Sequence, residues 1–223
     1  MENVEIKSKD GYRLIGTYYQ AGSQKAPCLL LLHQMRKDRS SWEEIAKHLR
    51  DSGIHVLTLD IRGHGESTQY GSVQRTWKDF CEIDFENIAL DVEAAKNWMH
   101  LRREADSNSL GLIGASITAN ITIQMLALDP DWRFGVALSP GLNYHGLKIK
   151  PAISSITKPL LVLSADNDPY QGEADLVSLF TKTQHNITFH SFENSDAHGT
   201  DMFLNIPTAQ NVFINYINEV LKT

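Results

Sequence analysis

The stretch Ser109-Leu-Gly-Leu-Ile-Gly-Ala-Ser-Ile-Thr-Ala-Asn120 decides the fold of this chain of 223 residues. A short apolar run ends at Gly114, and Ser116 follows two residues later, where a helical pattern begins. This order predicts a strand, a tight turn and a helix, with the hydroxyl group of Ser116 at the turn. A serine on such a turn is raised from the edge of a sheet, where it can meet a ligand.

Strand and helix patterns alternate on both sides of this stretch. Apolar runs predict strands at 26–32, 54–60, 134–138, 159–164 and 187–192. Helical periodicity predicts helices at 42–50, 85–101, 174–180 and 208–221. Asp10-Gly11 lies between two alternating runs and predicts an antiparallel hairpin over 4–19. The whole pattern indicates a three-layer α/β/α sandwich around a mostly parallel sheet of about eight strands, in a single domain 1–223.

Charge and cysteine content argue against several classes of function. Lys and Arg number 21 against 27 Asp and Glu, a formal net charge of −6, and no basic block suits a nucleic-acid or anionic-membrane partner. The two cysteines, Cys28 and Cys81, do not indicate a disulfide framework. The N-terminus lacks a secretory pattern, and no apolar run approaches the roughly 20 residues that span a bilayer. We therefore expect a cytoplasmic protein.

Ser116 has two interpretations on its local motif alone. Gly114-Ala-Ser-Ile-Thr118 is a near match to Gly-x-Ser-x-Gly, the turn that holds a nucleophilic serine, with Thr118 in place of the second glycine. Small neighbours are needed there because a bulky side chain would clash with the adjacent strand or helix. The alternative is a plain turn between a strand and a helix, in which Ser116 only caps the helix.

A nucleophilic serine needs a base and a residue that orients the base. Two carboxylates, Asp166 and Asp168, follow the strand predicted at 159–164. Pro169 makes the turn after Asp168 rigid, which favours Asp168 as the orienting residue. In this interpretation Asp166 is a carboxylate that caps the loop.

The base is selected among nine histidines by its place in the chain. His198 follows the last predicted strand, whereas His185 and His190 flank or occupy that strand. Functional side chains collect at the carboxyl ends of parallel strands, so position favours His198. The sequence holds no His-Glu-x-x-His motif and no cysteine–histidine cluster, so we expect no metal.

These motifs together carry a family resemblance. They are His33-Gln-Met35, Asp60-Ile-Arg-Gly-His-Gly-Glu-Ser67, the Ser116 turn, Asp168-Pro and His198-Gly. The chain resembles the α/β-hydrolase superfamily, specifically its small esterase and dienelactone-hydrolase-like members, over nearly its whole length. The resemblance implies that Ser116 is the nucleophile, His198 the general base and later acid, and Asp168 the carboxylate that orients His198.

The resemblance also implies an oxyanion site made of backbone N–H groups. Ile117, which follows the nucleophile, would supply one donor. The second donor maps to Met35, with Gln34 the less favoured choice, since Gln34 replaces a glycine that the family usually has in this loop. A histidine at the position of His33 is structural in similar proteins and braces the loop.

The expected substrate follows from the length of one connection. In the family, lids usually lie in the segment that corresponds to 141–158, which is short here and implies no large lid. Tyr144 and His145 in this segment, and Trp77, are predicted to contact the substrate. We expect a carboxylic ester hydrolase that cleaves small soluble esters through an acyl-enzyme, without a cofactor. The alternatives are a thioesterase or acyltransferase with the same triad, or a non-catalytic binding protein with this fold.

Overall fold

The computed structural model describes residues 1–22, 24–170, 173–180 and 186–222. His185, one of the alternatives for the base, lies outside the described residues. The chain forms two compact units, Met1–Gly111 and Leu112–Thr223, which we call the N-terminal unit and the C-terminal unit. Ser116, Asp168 and His198 all belong to the C-terminal unit.

The N-terminal unit is built on the predicted hairpin and the buried strands that follow it. Its strands are β1 (Glu2–Lys7), β2 (Tyr12–Tyr19), β3 (Ala26–Leu32), β4 (His55–Leu59), β5 (Gln69–Tyr70), β6 (Val73–Gln74) and the first part of β7 (Ala105–Ala115). They follow the order β7-β3-β4-β2-β5-β6, with β1 against β2. The pair β3 and β4 is parallel, whereas β2 is antiparallel to β1, β4 and β5. The predicted antiparallel hairpin is confirmed.

Helices cover the strands of the N-terminal unit. They are a 3-10 helix (Arg39–Trp42), α1 (Glu43–Asp51), a second 3-10 helix (Trp77–Asp79), α2 (Glu82–Glu86) and α3 (Ile88–His100). Helix α1 contacts β4 and β2, and α3 contacts β1 and β3. The single helix predicted at 85–101 is wrong in its first turn, because the chain breaks at Asn87 between α2 and α3. Asparagine is a poor residue for a helix interior.

The C-terminal unit contains the end of β7 and a set of parallel strands. Its further strands are β8 (Trp132–Leu138), β9 (Asn143–Tyr144), β10 (Leu147–Lys148), β11 (Leu160–Ala165) and β12 (Ile187–Phe192). The order is β12-β11-β8-β7, and β11 is parallel to both β8 and β12. β9 and β10 form a separate antiparallel pair. β11 is buried along its whole length, which explains its unbroken apolar sequence.

Helices of the C-terminal unit pack on its strands, and the site residues lie where the strands end. They are α4 (Ile117–Leu128), α5 (Lys150–Ile153), α6 (Glu173–Phe180), a 3-10 helix (Gly199–Asp201), α7 (Met202–Asn205) and α8 (Ala209–Val220). Helix α4 packs on β8, and α6 packs on β12. Ser116 directly follows β7, while Asp168 and His198 lie in the loops after β11 and β12.

The predicted fold class is confirmed: a mostly parallel sheet with helices around it and an antiparallel strand pair at the N-terminus. The short strands β5, β6, β9 and β10 are absent from the sequence prediction, since two residues carry no periodicity. Within the described part of the chain, no helix combines the length and the apolar character needed to cross a membrane.

Candidate active site

Ser116 occupies the sharp turn between β7 and α4 in a backbone conformation that is rare for a residue with a side chain. Its φ is 57° and its ψ is −119°, and such strain collects at functional sites. The N–H group of Ser116 donates to the carbonyl of Leu138 at the end of β8, at 2.8 Å. The Ser116 side chain makes no capping hydrogen bond to α4. Ser116 thus occupies the N-cap position of α4, and its hydroxyl group is not used to cap the helix.

Gly114 and Thr118 show how the turn closes without a second glycine. A Cβ atom at Gly114 would overlap the backbone carbonyl of Thr118 and lie 2.5 Å from Thr122 Oγ1, so no larger residue fits there. The hydroxyl group of Thr118 accepts from the Ala115 N–H at 2.8 Å and donates to the Ala115 carbonyl at 3.0 Å. Threonine is thus accommodated because its hydroxyl group satisfies the last residue of β7.

Asp168 and His198 meet although their loops follow different strands. His198 Nδ1 lies 2.7 Å from Asp168 Oδ2, and Asp168 Oδ1 accepts from the Tyr170 N–H at 3.0 Å. The Asp168 side chain is fully buried, whereas that of His198 is 15% exposed. A carboxylate accepts only, so Nδ1 carries the proton and Nε2 is left as the basic nitrogen. The arrangement fixes one tautomer and one orientation of the ring.

Asp166 has a different role from its neighbour. Its carboxylate accepts from the N–H groups of Asn194 at 2.8 Å and Ser195 at 3.0 Å. These backbone hydrogen bonds hold the pKa of Asp166 below its usual range, and the bond from Ser195 has the largest effect. Asp166 therefore ties the loop after β11 to the loop after β12, and Asp168 is the carboxylate that reaches His198.

Two residues that the sequence analysis missed support the position of His198. Ser139, which follows β8 with a φ of 50°, accepts from the Gly199 N–H through its hydroxyl group at 2.9 Å. The ring of Tyr170 lies 4.8 Å from the ring of His198. Ser139 stands at a strand end like the other site residues, and that position was the available signal.

Tyr144 is brought to Ser116 by the β9–β10 hairpin. The two strands are joined by His145 and Gly146 with φ values of 48° and 90°, as a two-residue hairpin turn requires. Burial and the charge of Asp168 raise the pKa of Tyr144, while the nearby Ser116 hydroxyl group lowers it by a smaller amount. His145 lies exposed at the tip of the turn.

The predicted oxyanion residues lie in both units. Ile117 is the first residue of α4, where a helix leaves its N–H groups without intrahelical partners. In the N-terminal unit, Gln34 and Met35 belong to a turn that the Lys37 N–H closes on the Gln34 carbonyl at 3.2 Å. Gln34 is buried and Met35 half-buried. Their roles as oxyanion donors remain predictions.

His33 braces that turn as a buried, neutral side chain. Its Nδ1 donates to the Gln34 carbonyl at 2.8 Å, and its Nε2 accepts from the Ile61 N–H at 3.2 Å. Burial lowers the pKa of His33 to about 4, so both contacts are made by the uncharged ring. The geometry is that of a structural residue.

Trp77, the third predicted substrate contact, lies in the N-terminal unit. Its ring stacks on His64 with 6.0 Å between centroids. The backbone N–H of Trp77 donates to the Gly63 carbonyl at 3.1 Å. A contact with substrate remains a prediction. Among the described residues, no three His, Cys, Asp or Glu side chains form a group that would hold a metal ion.

The 60–67 loop is held by ion pairs, by hydrogen bonds to backbone N–H groups and by close packing. Asp60 accepts from the backbone N–H groups of Arg39 at 2.7 Å and Glu66 at 2.8 Å. A Cβ atom at Gly65 would overlap the Asp60 carboxylate. The Arg62 guanidinium, 1% exposed, pairs with the fully buried Asp91 at 2.7 Å. The 60–67 motif, one of those that carry the family resemblance, is therefore structural.

Comparisons with known proteins agree with this architecture. Residues 23–152, more than half of the chain, match the Hydrolase_4 family, described as serine aminopeptidase, S33. The polyketide transferase claH of Penicillium crustosum is 26% identical over 143 residues, which are 62% of this chain and 44% of that protein. The match thus spans less than half the length of this curated relative.

Solved structures give the same fold at low identity. The esterase Pf2001 of Pyrococcus furiosus superposes with a TM-score of 0.79 and 21% identity, over 99% of this chain and 90% of that one. The α/β hydrolase GrgF of Penicillium sp. sh18 superposes with a TM-score of 0.82 and 15% identity, over 100% and 99%. The chain therefore has the α/β-hydrolase fold and belongs to the Hydrolase_4 (serine aminopeptidase, S33) family.

Proposed function

We propose that this protein is a serine hydrolase that cleaves small carboxylic esters through an acyl-enzyme. The observation that carries the proposal is the 2.7 Å hydrogen bond between His198 Nδ1 and the buried Asp168 carboxylate. A solvated loop histidine has no need of a buried carboxylate, whereas a general base does, because its ring must be oriented and its charged form stabilised. The strained turn at Ser116 supports the same conclusion.

The chemistry follows from these three side chains. Ser116 Oγ attacks the ester carbonyl carbon while His198 Nε2 takes its proton, and the developing imidazolium is stabilised by Asp168. When the tetrahedral intermediate collapses, the carbon–oxygen bond to the leaving alcohol breaks and His198 returns the proton to that alcohol. Water then attacks the acyl-enzyme by the same route, giving the acid and free Ser116.

The oxyanion of each intermediate needs two hydrogen-bond donors. We assign one to the backbone N–H of Ile117, because that group follows the nucleophile at the start of a helix whose dipole favours negative charge. We assign the other to Met35 by resemblance. Removing one such donor costs roughly 3–4 kcal/mol of transition-state stabilisation.

Covalent labelling tests the proposal directly. A fluorophosphonate probe should modify the native protein at Ser116, and Ser116→Ala should abolish the modification. p-Nitrophenyl acetate should release p-nitrophenol in a burst followed by a slower steady state, because the acyl-enzyme accumulates. The absence of labelling would leave only the non-catalytic binding role, and equal labelling of Ser116→Ala would show that Ser116 is not the nucleophile.

Acyl transfer to an acceptor other than water is the second candidate. It is favoured by the name of the curated relative, a polyketide transferase. The same acyl-enzyme serves both reactions, and only the second nucleophile differs. The two reactions are separated by measuring the products formed from p-nitrophenyl acetate in the presence of added alcohols, thiols or amines. Transfer yields the acetylated acceptor, whereas hydrolysis yields acetate. A panel of acyl-thioesters tests thioesterase activity in the same way.

A further inference from the structure

Tyr144 is the side chain that the β9–β10 hairpin holds against Ser116. Its hydroxyl group lies 3.1 Å from the Tyr170 carbonyl and 3.4 Å from the Ser139 carbonyl, and the Ser116 hydroxyl group is near enough to lower the pKa of the phenol. Carbonyl oxygens only accept, so the single phenol proton points to one of them. The phenol oxygen is then left to accept from Ser116, and Tyr144 is fixed beside the nucleophile from three directions.

The ring of Tyr144 is fixed as firmly as its hydroxyl group. It lies over the backbone of Gly141, where an added Cβ atom would come within 2.5 Å of Tyr144 Cζ. Only glycine at position 141 therefore allows the Tyr144 ring to pack this closely against the backbone. The ring therefore covers Gly141, and its hydroxyl group lies on the side of Ser116.

Asn120 fastens the hairpin to the helix that carries the nucleophile. It is fully buried and lies in the first turn of α4, where its backbone N–H donates to the Ser116 carbonyl at 3.3 Å. Its Nδ2 donates to the carbonyls of Gly141 at 2.8 Å and Leu147 at 2.7 Å, and its Oδ1 accepts from the Gly141 N–H at 3.0 Å. Both amide protons are thus used on the two ends of one hairpin.

We propose that Tyr144 is a specificity-determining residue that limits the acyl group on Ser116 to short chains, and that Asn120 positions it. The inference rests on the proposed function, since it concerns the acyl-enzyme at Ser116. The acyl carbon becomes bonded to Ser116 Oγ, the atom that Tyr144 contacts, so a longer chain competes with the phenol ring for space.

We expect Tyr144 to restrict the acyl part of the ester more than the alcohol part. The alcohol leaves after the first half of the reaction, whereas the acyl group stays on Oγ through both halves. A side chain fixed beside Oγ therefore constrains the acyl group throughout. Each methylene group that a pocket accepts or rejects changes kcat/KM by roughly 10- to 200-fold.

The test is the ratio of kcat/KM for p-nitrophenyl octanoate to that for p-nitrophenyl acetate. In Tyr144→Ala the ratio should rise at least about tenfold, because the ring no longer fills the space beside Oγ. Tyr144→Phe keeps the ring and should leave the ratio within about twofold of the native value. Asn143→Ala, an exposed neighbour in the same strand, is the matched control and should not change the ratio.

Asn120 is tested by the same ratio and by additivity. Asn120→Ala should raise the ratio, and the double variant Asn120→Ala/Tyr144→Ala should show the ratio of Tyr144→Ala alone, because Asn120 acts through Tyr144. Thermal unfolding of each variant shows whether it is folded. Tyr144→Ala removes a half-buried side chain and decides the role of Tyr144 whether or not Asn120→Ala folds.

Three outcomes overturn the inference. An unchanged ratio in folded Tyr144→Ala removes the specificity role, and an equal rise in Tyr144→Phe assigns the effect to the hydroxyl group and not to size. A change confined to esters that differ in their alcohol, with acetate constant, contradicts the assignment to the acyl group. Fluorophosphonate labelling of Ser116 with an unchanged ratio overturns this inference alone, whereas no labelling overturns the proposed function with it.

Discussion

Two loops that follow buried strands use the same kind of residue for opposite purposes. The 60–67 loop after β4 and the 166–170 loop after β11 both present a buried aspartate, Asp60 and Asp168. Asp60 binds backbone N–H groups and the guanidinium of Arg39, which never gives up its proton. Asp168 binds an imidazole, which exchanges protons readily. The partner of each carboxylate, more than its position, separates the structural role of Asp60 from the catalytic role that we propose for Asp168.

The largest effect should separate the two aspartates of the 166–170 loop. Asp168→Asn should lower kcat for p-nitrophenyl acetate roughly 10³- to 10⁴-fold, because an amide no longer selects the Nδ1–H tautomer or stabilises the imidazolium. Asp166→Asn should leave kcat within about twofold and lower the free energy of unfolding slightly, since it weakens the hydrogen bonds to the Asn194 and Ser195 N–H groups. Steady-state kinetics and urea unfolding measure both. Equal losses of kcat in the two variants would contradict the assignment.

The next effect concerns stability in the 60–67 loop. Arg62→Met leaves the fully buried Asp91 carboxylate without its guanidinium and should lower the free energy of unfolding by about 3–5 kcal/mol. Urea unfolding at pH 8 is the measurement, because burial raises the pKa of Asp91 to about 6 and the carboxylate is charged above that value.

An exposed ion pair gives the control for Arg62→Met. Arg13 and Glu5 lie 2.7 Å apart with side chains 47% and 59% exposed, so Arg13→Met should cost less than about 1 kcal/mol. Fluorophosphonate labelling per folded molecule should be native-like in both variants. A loss of labelling with full stability in Arg62→Met would mean that the motif serves chemistry and not structure.

The sequence predicted the strand-end positions of the site because periodicity locates strands. β3 at Ala26–Leu32 and β12 at Ile187–Phe192 have the predicted bounds, and those bounds placed His198 after the last strand. The sequence also favoured Asp168 over Asp166 as the orienting carboxylate, because Pro169 makes the turn after Asp168 rigid. We propose the function of Asp168 and His198 from the hydrogen bond that joins them.

The hairpin that carries Tyr144 was not predictable for a physical reason. β9 and β10 have two residues each, too few for alternation to appear, and the turn uses His145 in a left-handed conformation that asparagine or glycine normally adopts. Asn120 gave no signal either, because its partners are backbone groups of Gly141 and Leu147. Contacts between a side chain and a distant backbone leave no trace in local sequence.

A smaller effect should appear at Thr118, where the sequence departs from the expected glycine. Thr118→Val keeps the volume but leaves the Ala115 N–H and carbonyl without the hydroxyl group that now pairs with them. The free energy of unfolding should fall by about 1–3 kcal/mol. Thr118→Ser keeps the hydroxyl group and is the control. Native stability of Thr118→Val would show that these bonds are replaceable.

The last prediction concerns the acid sensitivity of the 60–67 loop, tested at His64. Burial lowers the pKa of His64 to about 4, against about 6.5 in an unfolded chain. Between these values the unfolded chain binds a proton that the folded protein rejects, so this contribution to stability is present above pH 6.5 and is lost as pH falls towards 4. At pH 5 the loss is about 2 kcal/mol.

His64→Asn isolates this contribution from the other titrating groups. Nδ1 of His64 donates to the Arg62 carbonyl at 3.0 Å, and an asparagine amide can make the same bond, whereas Nε2 has no hydrogen-bond partner in the described part of the chain. Asp91 and His33 titrate in both proteins and cancel in the comparison. Urea unfolding at pH 7 and pH 5 should show a decrease about 2 kcal/mol smaller in His64→Asn than in the native protein. Equal decreases would mean that His64 accepts a proton in the folded state, and the 60–67 loop would then tolerate a charged imidazole in its interior.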